Sequence, residues 1–172
     1  MAFNKILKKR GFLNYLIFSG IIFANIINPN KSIALTQENI DIPKVVSYRS
    51  ASCSCCKKWI NHLSDNGLEV VDNIVEVISV IKNHYQIPNN LRSCHSAQIA
   101  YYTIEGHVPI ESIYKLFRKK PNINGIAVPG MPPGSPGMEM HSHDAHSHDY
   151  ENYIVVSFSK TGKIKIFDKI SP

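Results

Sequence analysis

Lys44-Val-Val-Ser-Tyr-Arg49-Ser-Ala-Ser-Cys53-Ser-Cys55-Cys56-Lys-Lys-Trp59-Ile60-Asn-His62-Leu63-Ser-Asp-Asn66-Gly67 is the stretch on which the fold turns. Its opening, Lys44 to Arg49, is rich in β-branched and aromatic side chains and reads as a short strand. From Lys57 to Asn66 the apolar residues Trp59, Ile60 and Leu63 recur at helical spacing, and Gly67 is placed to cap the C-terminus. Three of the chain's four cysteines fall in the junction between strand and helix. A helix N-terminus offers unpaired N–H groups and a partial positive charge, and both favour thiolate over thiol. Thiolate is the form that binds metal and attacks disulfides.

Outward from this unit, Leu68 to Ile74 reads as a second strand. Val75 to Tyr85 reads as a second helix, with Val77, Ile78 and Ile81 on one side and Pro88 beyond its end. Gln98 to Ile104 is the third predicted strand, and Pro109 to Lys120 a third helix that begins on proline. Tyr153 to Ser159 and Lys163 to Asp168 flank Lys160-Thr161-Gly162 as a β-hairpin. This order predicts an α/β fold, a mixed sheet with flanking helices and a C-terminal β-hairpin. Pro121 to Asn152 carries no regular pattern, and residues 129–152 are a Pro/Gly/Met/His-rich loop. Loops of such length in a compact domain are usually functional or disordered.

The beginning of the chain speaks to compartment. Lys5, Lys8, Lys9 and Arg10 precede an apolar run from Phe12 to Ile27; Asn28-Pro29-Asn30 breaks it, and Ser32-Ile33-Ala34 has the small-x-small pattern of a cleavage site. This is the layout of a secretory signal peptide over residues 1–34. An uncleaved membrane anchor is the alternative, although the run is shorter than the roughly 20 residues that span a bilayer. The expected location is therefore exported and periplasmic, with residues 35–172 as one domain. The targeting segment also accounts for the basicity. The chain has 19 Lys and Arg against 13 Asp and Glu; five of the cations and none of the acids lie in residues 1–34, leaving 14 against 13. Nucleic-acid binding has no support in that balance.

The cysteines allow three readings. Cys53 and Cys56 stand in C-x-x-C register, as in a thiol–disulfide couple, with Cys94 able to resolve it. The third thiol, Cys55, would compete in such a couple. Cys53, Cys55, Cys56 and Cys94 also form a soft donor set that selects Cu(I), zinc or iron–sulfur clusters. Adjacent Cys55 and Cys56 diverge and suit bridging in a polynuclear cluster better than chelation of one ion; zinc is the lesser fit, since the second half is only Cys94-His95. Structural disulfides are the third reading. Met131, Met138 and Met140 lie among Pro and Gly rather than in apolar periodicity, and thioethers add to a Cu(I) donor set. His141, His143, His146 and His148 form a short tract suited to auxiliary metal capture. His62 and His84 read as helix-surface residues. His95, beside a candidate ligand, and His107, in a turn, are intermediate cases.

Four blocks run in one order: Tyr48-Arg-Ser-Ala-Ser-Cys53-Ser-Cys55-Cys56-Lys-Lys-Trp59; Ser93-Cys94-His95; Ile104-Glu-Gly-His107-Val-Pro109; and Ala127-Val-Pro-Gly-Met131-Pro132 with Gly134-Ser-Pro-Gly-Met138-Glu139. Together they resemble the exported copper-resistance proteins of the CopG type, long labelled a domain of unknown function. The resemblance implies a thioredoxin-like fold, periplasmic export and a role in copper resistance. It further implies a multi-copper thiolate cluster on Cys53, Cys55, Cys56 and Cys94, with redox interconversion of the bound copper and other periplasmic copper-handling proteins as partners. Ser54 departs from the glycine that the family often has there. A thioredoxin-like fold would also suggest a cis-proline facing the thiols, at Met131-Pro132 or Val128-Pro129.

Overall fold

The computed structural model describes residues 40–139 and 152–171. The predicted signal segment, Met140 and the tract His141, His143, His146 and His148 lie outside the described residues.

The elements follow one another as β1 (Val45–Arg49), α1 (Ser54–Asp65), β2 (Val70–Ile74), α2 (Ile78–His84), a 3-10 turn (Asn89–Leu91), β3 (Ser96–Ile99), β4 (Tyr102–Glu105), α3 (Ile110–Lys119), β5 (Gly125–Ala127), β6 (Tyr153–Phe158) and β7 (Ile164–Ile170). The strands form one sheet in the order β2-β1-β3-β4-β5-β6-β7. β1/β2 and β4/β5 are parallel, and the other neighbours antiparallel. Parallel neighbours need a crossover, which α1 and α3 supply. The fold is thus α/β with a mixed sheet and a closing hairpin, β6–β7, as the sequence order predicts.

Helix α1 forms for reasons visible in its own residues. Cys56, Trp59, Ile60 and Leu63 are its buried positions, a single stripe at i, i+3, i+4 and i+7. It ends in a Schellman arrangement: Leu68 N–H bonds to the Leu63 carbonyl (3.1 Å) and Gly67 N–H to that of Ser64 (2.9 Å). Gly67 takes the left-handed φ of +85° that this closure needs. Trp59 and Leu63 then join Ile99, Ile104, Ile113, Leu116, Ile126 and Val155 in the main core. Ile87, Leu91, Ala127, Val156 and Phe158 form a second cluster. Ile126 and Ala127, and likewise Val155 and Val156, are strand neighbours that divide between the clusters, so both sheet faces are covered.

Three expectations need correction. The single strand expected over Gln98–Ile104 is two, because the chain reverses at Ala100-Tyr101 and pairs Ile99 with Tyr102. Ala100 adopts φ +52° there, and no Gly, Asn or Pro marks the turn. Within the stretch expected to be irregular, Gly125–Ala127 is a fully buried strand. Gly125 admits it: a Cβ at this position would strike the Thr103 carbonyl of β4. Finally, no peptide bond among the described residues is cis, so neither Met131-Pro132 nor Val128-Pro129 is the cis-proline.

Candidate metal centre

Cys53 is the N-cap residue of α1, and Cys55 and Cys56 occupy its first turn. Successive helical residues point about 100° apart, so the neighbours separate. Cys56 turns into the core and is fully buried, whereas Cys55 stays half-buried. Cys53 and Cys56 are joined as a disulfide, and Cys55 and Cys94 are free thiols. The Cys53 and Cys55 sulfurs are 3.5 Å apart. Cys94 arrives from a distant loop, between the 3-10 turn and β3. The ladder that pairs Tyr48 of β1 with Ser96 of β3 brings the two loops to one end of the sheet. All four sulfurs lie within 4.8 Å of one another.

Two histidines complete the cluster. His107 Nδ1 donates to the Pro136 carbonyl at 2.7 Å, since a carbonyl can only accept. Its Nε2 lone pair therefore faces Cys94 Sγ, 3.1 Å away. Donation of the second ring N–H to a carbonyl is the usual way a metal-binding imidazole is oriented. His95 Nδ1 is 3.4 Å from the same sulfur, and its ring packs on Trp59 with centroids 4.4 Å apart. The His95 Nε2 is buried without a hydrogen-bond partner among the described residues. Cys94, His95 and His107 thus form a second close donor group that shares Cys94 with the first.

Burial sets the charge states. It drives His95 well below the ordinary imidazole value and lowers His107, so both rings are neutral and carry a free lone pair. Burial, with Cys55 nearby, pushes the Cys94 thiol up to about 11. Metal entering here must displace that proton.

Several contacts hold the site in place. Trp59 Nε1 donates to the Val108 carbonyl at 2.8 Å, tying α1 to the loop that bears His107. Gly137, at φ +86°, seats the Ser135–Met138 segment against α1; a Cβ there would lie 2.7 Å from the Cys55 carbonyl oxygen. This close approach delivers the Pro136 carbonyl to His107. Arg49 grips Asp72 through two bonds of 2.9 and 2.7 Å and donates to the Ser50 carbonyl at 3.1 Å, fixing the start of the loop to Cys53. The Arg49 bond holds the Asp72 carboxyl below its ordinary 3.8. The folded value is the depressed one, so this contribution to stability is complete above pH 3.8 and disappears as pH falls through the folded value. Asp72→Asn is expected to flatten the acid limb of a stability-against-pH curve in that window.

The structure brings together Cys53, Cys55, Cys56 and Cys94, the set that the family resemblance implies. Met138 lies half-buried beside Gly137, while Met131 is on the surface. His84 is exposed on α2, and His62 is partly buried on α1. His107 and His95 were only intermediate candidates by sequence, yet among the described residues they are the imidazoles in contact with Cys94. Their signal was the pair of motifs Cys94-His95 and Gly106-His107, 12 residues apart.

A family model described as a protein of unknown function, DUF411, matches residues 91–138, which span Cys94, His107 and Gly137. Two solved structures are similar throughout their own length. One, a copper resistance protein copG (form 2), shares 37% identity, covers 75% of this chain and 99% of its own, and superposes with a TM-score of 0.67. The other, form 1 of a copper resistance protein copG, shares 36% identity over 77% of this chain and 100% of its own, with a TM-score of 0.68. No curated protein matches the chain.

Proposed function

Because the chain belongs to the CopG-type copper-resistance family, we propose that it binds Cu(I) outside the cytoplasm and serves copper resistance or homeostasis. The observation that carries the reading is the convergence of the four cysteine sulfurs within 4.8 Å, with His107 Nε2 aimed at Cys94. Thiolates are soft donors and imidazole suits copper as well, so this set fits Cu(I) and accommodates more than one ion through bridging sulfurs. Copper is the cargo. Cys53, Cys55, Cys56 and Cys94 hold it, and His107 adds a neutral donor at the Cys94 side. The Cys53–Cys56 disulfide must be reduced before all four sulfurs can ligate.

The periplasmic setting rests on the signal-peptide pattern of residues 1–34. The tract His141, His143, His146 and His148 and the thioethers Met131, Met138 and Met140 act as auxiliary donors that capture or shield the ion. The thioredoxin-like reading is supported by the β1-α1-β2 unit with C-x-x-C at the start of its helix.

Anaerobic Cu(I) titration of the reduced protein tests the proposal. Trp59 is the chain's single tryptophan and packs on His95, so its fluorescence reports filling of the site. The expected result is a Trp59 signal change that saturates at more than one copper per chain. The protein with the Cys53–Cys56 disulfide intact should bind less copper and more weakly. Binding confined to the histidine tract, with Trp59 silent, would overturn the reading.

One observation favours a second reading. The Cys53–Cys56 disulfide at the N-terminus of α1 is what a thiol–disulfide oxidoreductase would present. Such an enzyme works as a reversible dithiol couple without metal. Turnover of a disulfide substrate by metal-free protein, lost in both Cys53→Ser and Cys56→Ser, would select it.

A further inference from the structure

Beneath the Cys94 loop lies a buried ion pair. Lys82 of α2 is 3% exposed and Glu105, the last residue of β4, is 0% exposed; Lys82 Nζ and Glu105 Oε1 are 2.5 Å apart. The remaining bonds of this pair all go to one short segment. Glu105 Oε1 accepts the Ser93 N–H and Glu105 Oε2 the Ser96 hydroxyl, each at 2.5 Å. Lys82 Nζ also donates to Ser96 Oγ at 2.9 Å and to the His95 carbonyl at 3.4 Å. Ser93 and Ser96 bracket Cys94-His95, so the carboxylate holds the segment on both sides of the two donors, through the Ser93 backbone N–H and the Ser96 side-chain hydroxyl. Glu105 also stands two residues before His107, and the intervening Gly106 N–H bonds to the His95 carbonyl at 3.2 Å. Gly106 permits that approach: a Cβ there would lie 2.8 Å from the Val128 oxygen and 2.9 Å from Ser93 Cβ.

Stability alone is a poor reason for such a pair. Removing two charges from water costs about as much as their attraction returns, and apolar replacements of similar volume are often neutral or stabilising. What the pair does supply is fixed geometry between two segments, one carrying Cys94 and His95 and the other His107. We infer that Lys82 and Glu105 are positioning residues: they set the spacing of Cys94 Sγ from His107 Nε2 and so tune the affinity of the site for copper. The inference rests on the copper-binding reading above. Neither residue is one of the candidate donors. They act through the backbone of residues 93–96 and through the start of the turn at Gly106.

The test compares wild type, Cys94→Ser, Ser96→Ala and the double variant Lys82→Met with Glu105→Gln, all full-length and reduced. Three quantities are measured: the thermal midpoint without metal, the Cu(I) affinity against a chromophoric Cu(I) chelator, and the near-ultraviolet Cu(I)–thiolate absorption per bound copper. The double variant is expected to fold but to bind Cu(I) roughly 10–100-fold more weakly, the range typical of lost outer-shell partners. Its absorption per copper should be altered, and Ser96→Ala should change in the same sense by a smaller factor. A pair that merely braced the core would shift the melting midpoint and leave affinity and absorption untouched. Folded variants with wild-type affinity and spectrum overturn the inference while leaving copper binding intact. If the double variant fails to fold, Ser96→Ala decides by the same two readouts. If wild type binds no copper, or Cys94→Ser binds as wild type does, the copper reading falls and this inference with it.

Discussion

Cys94→Ser is expected to weaken Cu(I) binding by roughly a hundredfold or more, beyond the loss usual for an outer-shell partner, and to lower the number of coppers bound. Cys94 is the one cysteine that belongs to both donor groups, the four-sulfur set and the Cys94-His95-His107 set. Serine keeps the size of the side chain but exchanges a soft sulfur for a hard oxygen, which Cu(I) disfavours. Cys94 is only half-buried and contributes nothing to the main apolar cluster, so the fold should survive the change. Chelator competition supplies the affinity, and metal analysis after desalting supplies the stoichiometry. A thermal melt establishes that the variant is folded. An affinity within threefold of wild type would mean that the convergence of sulfurs does not serve copper.

Trp59→Ala should be the most destabilising single change at the site. Its side chain is fully buried, and truncating buried Trp costs roughly 3–5 kcal/mol. The change also leaves the Val108 carbonyl without its indole donor and removes the surface on which the His95 ring rests. For a domain of this size the midpoint of thermal unfolding should drop by roughly 10–20 °C. Circular dichroism is the proper probe, because the substitution removes the only tryptophan. Trp59→Phe keeps an aromatic ring in the core but loses the hydrogen bond and part of the ring volume, so its cost should be near 1 kcal/mol plus a cavity contribution. A loss below about 1 kcal/mol for the alanine variant would show that the site relaxes to fill the gap, contrary to the close packing seen around Trp59.

The parts of the fold that were legible in the sequence are those encoded by local chemistry. Helix α1 was read from Trp59, Ile60 and Leu63 and from Gly67, because helical periodicity and a left-handed cap are properties of a dozen adjacent residues. The hairpin β6–β7 was legible for the same reason, from two β-rich runs around Lys160-Thr161-Gly162. The turn at Ala100-Tyr101 was not. Its residues have no intrinsic turn preference, and the reversal exists because β3 and β4 pair across the core through Ile99 and Tyr102. Strand β5 was hidden similarly. Three residues are too few to show alternation, and Gly125 is a strand residue only because β4 runs directly against it.

The same division runs through the candidate site. The sequence by itself determined the soft donor set, the position of Cys53, Cys55 and Cys56 at the head of a helix, and the resemblance to CopG-type proteins. Only the tertiary structure decided that Cys94 reaches that helix, that His107 turns its Nε2 toward Cys94, and that Lys82 and Glu105 lie beneath both. Each of these depends on strand register, such as Tyr48 opposite Ser96, and on close backbone approaches at Gly106 and Gly137. A linear pattern reports which side chains share a face of one element. Which elements meet is fixed by the packing of the whole core, and donors from three separate loops converge only once that packing is complete.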